Sequence, residues 1–224
     1  MEPESWPEPI CHVGAAAEER LRQLDVTPEE LWRALHEGLA EARTCTELDG
    51  DATAGFLMWS RSNRNFREQK IAQGWGFSNR NQILRCIHPS YDFAITVMSG
   101  SGRIGESRAK NGEIKAKNPK GKAIKKMLEY NQLPLFRVSG IEDRSPAVDL
   151  VPTWFLLFKR EKGEIRCELS MPVEMTGGYV DKFSERILVS LPEEGFPNGI
   201  HDDLDKPDDS PESPEVQVEF RRAV

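Results

Sequence analysis

The residues best suited to chemistry in this chain are cations gathered near its middle. Residues 103–126 hold nine lysines and arginines against two acids, Glu106 and Glu113. Cations at that density, interleaved with glycine and asparagine, suit phosphate, whose binding to several of them would be steeply salt-dependent. Arg103, Arg108, Lys110, Lys115, Lys117, Lys120 and Lys122 are the expected contacts. Asn118 and Pro119 read as an N-cap followed by Pro at the first position of a helix that runs to about Asn131. That start would put Lys120 and Lys122 in a first turn, where the backbone dipole disfavours cations and an arriving anion would reverse the effect. Upstream, Arg61 and Arg64 stand one turn apart on a helix predicted over residues 52–73, with Asn63 and Asn65 as polar neighbours.

A hydrolytic alternative uses some of the same residues. Asp92, followed after a gap by Glu113-Ile114-Lys115, is similar in spacing to the D…ExK pattern of metal-dependent restriction-type nucleases. In that chemistry two carboxylates hold a divalent cation and the lysine steadies the attacking water. The match departs from the pattern because ExK belongs on an apolar central strand, whereas Lys110-Asn111-Gly112 precede it here and Ala116-Lys117-Asn118 follow. Cys86 and His88, two apart on a predicted strand, share a face and form an alternative metal pair, with Cys11-His12 or Cys45 to complete it. A half-buried strand cysteine and a turn histidine explain the same pair more simply. Gly100, Gly102 and Gly105 spell GxGxxG, but no helix opens at the third glycine, so the expectation is a flexible loop that phosphate can approach, not a dinucleotide fold. With no GxSxG, HExxH or Walker A pattern, no cofactor is expected.

The chain has 224 residues and a net charge of −7, and that charge is unevenly placed. Residues 61–126 hold 15 bases against four acids, whereas residues 1–30 hold eight acids and two bases, and residues 201–224 eight acids and three bases. The acidity therefore belongs to the two ends, and it does not exclude nucleic acid as a partner, because local fields steer binding. No apolar run reaches the length of a membrane span. Four cysteines without CxxC spacing exclude a disulfide scaffold and a ribbon-type zinc site. MEPESWPEPI, acidic and proline-rich, is unlike a secretory signal, so a cytoplasmic location is expected.

Several elements must position these residues. A short helix is predicted through AAAEERLRQL, and a stronger one over residues 28–45, where Thr27, Pro28 and Glu30 make a capping box. QILRCIH and DFAITVM form a hairpin about Pro89-Ser90-Tyr91, and residues 99–118 form a long connection. TWFLLFK and EIRCELSM form a second hairpin, with Ile165, Cys167, Leu169 and Met171 turned inward and Arg166, Glu168 and Ser170 turned to water. YVDKFSERILVSL reads as helix then strand. The expected fold is a single α+β domain over residues 15–192, an antiparallel sheet of four to six strands with three or four helices on one face. It is flanked by a mobile segment 1–14 and an acidic, largely disordered tail 193–224. The leading functional expectation is a non-enzymatic nucleic-acid-binding accessory protein for DNA or RNA. The alternatives are the nuclease and a protein-interaction module that offers VQVEFRRAV for strand addition. Residues 202–215, with seven acids and one base, could compete with nucleic acid for the basic region.

Overall fold

The computed structural model describes residues 7–132, 151–161 and 164–190. The first element among the described residues is a short strand, β1 (Ile10–His12), and three helices follow: α1 (Ala15–Gln23), α2 (Pro28–Ala42) and α3 (Thr53–Ile71). The capping box is present: Glu30 N–H donates to the Thr27 hydroxyl at 3.2 Å and Thr27 N–H donates to the Glu30 carboxylate at 2.9 Å. Strands β2 (Gly76–Ser78), β3 (Arg85–Ile87), β4 (Ala94–Gly102) and β5 (Ile114–Ala116) come next, then α4 (Lys122–Gln132). Three long strands complete the described chain, β6 (Thr153–Glu161), β7 (Glu164–Thr176) and β8 (Tyr179–Leu188).

These strands form one eight-stranded sheet in the order β1-β8-β7-β6-β4-β3-β2, with β5 also paired to β4. The sheet is larger than the sequence suggested and is mixed, because β1 runs parallel to β8 and β4 parallel to β6. Residues 179–188 are one strand and contain no helix. The stretch 99–118 carries β4 past Ser99 and all of β5, whose three residues are too few to read as a periodic pattern.

Both faces of the sheet are covered. Ile95, Val97, Leu156, Cys167, Leu169 and Ile187 pack against α1, α2 and α3. On the opposite face Phe155, Leu157, Val180 and Phe183 pack against α4, β5, Ile104 and Ala109. This explains the near-continuous apolar run in β6, a pattern of strands buried on both sides. It also corrects the placement of all helices on one face: α4 lies across the sheet from the other three.

Helix α3 fits into the structure at two close approaches. Gly38 of α2 faces it with no room for a side chain, since a Cβ there would stand 2.0 Å from Ser62 Oγ and 2.6 Å from Met58 O. Along one edge of β4 the partner changes, from β3 at Ala94–Ile95 to β5 at Gly100–Gly102. Asn63 fills part of the gap like a strand residue, accepting from Val97 N–H at 3.0 Å and donating to Val97 C=O at 3.0 Å. Buried backbone groups must be paired, and a side-chain amide supplies both halves here.

Candidate nucleic-acid interface

The long basic connection is a shaped, pinned loop. Ile104 and Ala109 are buried beneath it. Gly102 takes φ +80, and a Cβ there would lie 2.0 Å from Glu113 O, so the turn out of β4 requires glycine. The loop's anchor lies beneath it on β7 and β8. Glu168 and Arg186 have 0% exposed side chains and form an ion pair, with Arg186 Nε donating to Glu168 Oε1 at 3.0 Å. The remaining capacity of the guanidinium is spent on the loop: Nη1 donates to Ala109 C=O at 2.9 Å and Nη2 to Glu106 C=O at 3.1 Å. Glu168 Oε2 accepts from Gly105 N–H at 2.9 Å, and Oε1 accepts from Ser170 Oγ at 2.8 Å. A buried pair is tolerable when such bonds satisfy its other lone pairs and protons.

Two expectations change as a result. Glu168 and Ser170 do not face water, because the loop covers that side of β7. The GxGxxG loop is not open to phosphate at Gly105, whose N–H is already given to a carboxylate of the protein itself.

The predicted contact residues divide by partner. Arg103 is held between Glu106 at 2.8 Å and Glu113 at 3.1 Å. Arg61 lies 3.7 Å from Glu41, and Arg64 pairs with Glu68 at 2.8 Å. Lys120 precedes α4 instead of sitting in its first turn, because the helix begins at Lys122. Its backbone N–H bonds to Gly178 C=O at 2.7 Å, and burial pushes its ammonium below the usual lysine range. Lys117 has an interaction partner of its own. Arg108, Lys110, Lys115 and Lys122 are exposed, and none is held in a salt bridge among the described residues. The same holds for Lys125 and Lys126 of α4, which are not among the expected contacts. They could have been found from the pattern Ile124, Met127, Leu128, which turns those lysines outward.

These cations share one layer. Ile114 and Ala116 of β5 point into the core and Lys115 points out, while α4 buries Ile124, Met127 and Leu128 and presents its lysines to solvent. Arg61 and Arg64 belong to α3 on the other face, so the two predicted basic surfaces are not one patch. Asn63 is unavailable to a ligand, being buried against Val97, and Asn65 bonds to Gln69. Of the aromatics on α3, Phe66 is buried but Phe56 is 59% exposed.

The catalytic alternative is not assembled. Asp92 lies in the turn before β4, and Glu113 directly precedes β5, whose Ile114 pairs with Gly102 at the far end of β4. The nine residues of β4, at about 3.3 Å each, separate the two carboxylates by roughly 30 Å. One cation needs its oxygen ligands within about 2.6 Å. Glu113 is also engaged locally: the Lys110 backbone N–H, with help from Arg103, holds its carboxyl below the usual range. Cys86 is buried in the core, and burial pushes its thiol up to about 12. His88 stacks on Phe93 at 4.8 Å and meets Trp75 edge-on at 4.9 Å. Among the described residues no group of three or more His, Cys, Asp or Glu side chains is placed to hold a metal ion. Nor is any described helix long and apolar enough to cross a membrane. The VQVEFRRAV segment and residues 202–215 lie outside the described residues. Compared with family models, curated proteins and solved structures, the chain matches none of them.

Proposed function

We propose that the chain binds nucleic acid, without a catalytic step, through the outer surface of the layer formed by β5, α4 and the loop 103–112. One observation carries this reading: exposed cations without salt bridges among the described residues run from Arg108 through Lys115 to Lys126, beside a loop whose Gly105, Glu106 and Ala109 are bonded to the buried Glu168–Arg186 pair. Surface cations that already have carboxylate partners gain less from a phosphate; these have no salt bridge among the described residues to exchange. A pinned loop also loses less conformational entropy on binding than a loose one.

Fluorescence anisotropy with a labelled oligonucleotide tests the proposal. The slope of log K against log salt should be steep, at about 0.7–0.9 units per phosphate contact, and chelating divalent cations should not change affinity. Replacing Lys115, Lys122, Lys125 and Lys126 together with glutamate should reduce that slope by roughly three units. A flat salt dependence in the unaltered chain would remove the proposal.

A further inference from the structure

A second surface on the opposite side of the sheet has different chemistry. Between α3 and the edge strand β2 lies a shallow groove of about 350 Å³, lined by Arg64, Arg67, Ile71, Phe77, Asn79 and Leu84 among others. Phe77 is 58% exposed at a sheet edge and Ile71 is 45% exposed beside it. The Arg67 guanidinium carbon sits 5.6 Å from the Phe77 ring centroid. Arg67 donates only to neutral oxygens, Asn79 Oδ1 at 2.7 Å, Ser78 C=O at 2.8 Å and Arg85 C=O at 3.1 Å, so no carboxylate among the described residues offsets its charge. Its Nε is buried without a hydrogen-bond partner. Arg64 is paired with Glu68, but both groups are exposed, and such a pair is weak enough to yield to a phosphate.

We infer that this groove is a base-stacking site for single-stranded nucleic acid, with Phe77 carrying a base and Arg64 and Arg67 facing the adjoining phosphates. The inference rests on the nucleic-acid reading above and names the form of the ligand. An exposed ring at a groove floor can stack only on a base that is free of its own duplex partners, and stacking of that kind tolerates any base. Strand addition by a peptide is less well served, because β2 has three residues to offer. The groove also connects to the lysine layer. The segment 79–85 borders it through Asn79 and Leu84, and borders a dimple beside α4 through Asn81, Ile83 and Arg85, with Lys126 on the dimple's far wall. Within that rim Asn81 and Gln82 hold φ of 55° and 59°, a left-handed pair that non-glycine residues seldom adopt. A strand leaving Phe77 therefore reaches Lys126 by crossing this rim, and the two basic surfaces become successive parts of one path around the sheet edge.

The experiment uses the full chain, a labelled oligothymidylate and a duplex of equal length. Phe77→Ala should weaken oligothymidylate binding roughly tenfold, leave duplex binding unchanged, and be reversed by Phe77→Trp. Ultraviolet cross-linking should place an adduct on the peptide that contains Gly76–Asn79. Unchanged single-strand affinity in Phe77→Ala, together with loss of binding in the four-lysine variant, would overturn the groove and leave the nucleic-acid reading standing. An adduct confined to residues 115–126 would do the same. Absence of salt-dependent binding in the unaltered chain would remove both.

Discussion

The two layers that cover the sheet differ in how many of their cations they pair with acids. In the layer of α1, α2 and α3 several bases are matched to acids, with Arg67 and Arg33 the exceptions among the described residues. Arg20 is bonded to Glu185, Lys70 to Glu30 and Arg64 to Glu68, and Arg61 lies 3.7 Å from Glu41. Lys70 is almost fully buried and is also bonded to Asp25 C=O and Gln73, so it serves as a tie between helices. In the layer of β5, α4 and the pinned loop, Arg103 is satisfied, but the lysines of β5 and α4 have no salt bridges among the described residues. A count of bases along the chain treats these two populations alike. Position relative to carboxylates separates cations that hold the protein together from those that remain available to another molecule.

The most severe way to test this contrast is to disturb the buried pair that shapes the available side. Glu168→Gln keeps the volume but leaves the Arg186 charge uncompensated in the interior, and should cost about 3–5 kcal/mol of stability in urea denaturation. Replacing both partners, Glu168→Leu with Arg186→Met, should recover much of that loss while freeing the loop 103–112, seen as faster amide exchange at Gly105 and Ala109. A Glu168→Gln chain as stable as the original would mean that the pair is not the anchor described. The helical layer can be challenged at its closest approach. Gly38→Ala puts a methyl group into Ser62 and the Met58 carbonyl, and should destabilise the protein by about 1–3 kcal/mol without altering the salt slope of duplex binding. A changed slope would show that the two layers are not independent. The smallest effect concerns the acidic end. Removing residues 201–224 should tighten oligonucleotide binding at low salt, and the gain should fade as salt rises, because the competition is screened; equal affinity with and without the segment would discard it.

Much of the helical layer was legible in the sequence because its signals are local. Thr27, Pro28 and Glu30 announce α2 within four residues, and the period of Leu31, Leu35 and Leu39 tells which side is buried. The β3–β4 and β6–β7 hairpins were also readable from their turns. What escaped was set by partners distant in sequence. Alternation in β7 assigns Glu168 to one face, but whether that face is wet depends on a loop some sixty residues earlier. The parallel pairings of β1 with β8 and β4 with β6 have no local mark at all. For the candidate site, the charge of residues 103–126 was visible, whereas the distinction between Arg103, fully engaged, and Lys115, exposed without a salt bridge, required the fold. Phe77 carried no sequence signal that separates an exposed edge aromatic from a core one.

The Arg186 clamp also bears on the order in which the protein can be made. Its bonds to Ala109 and Glu106 span 77 and 80 residues of chain. The basic loop therefore leaves synthesis long before one of the side chains that pin it, and its bonds to Arg186 wait until β8 joins the sheet. Because β8 also receives β1, with Cys11 opposite Arg186, the first and last of the described strands are brought together at the same place. The pairing of β1 and the clamp on the basic loop thus both depend on β8, and a chain arrested short of residue 186 would display the cations without this clamp.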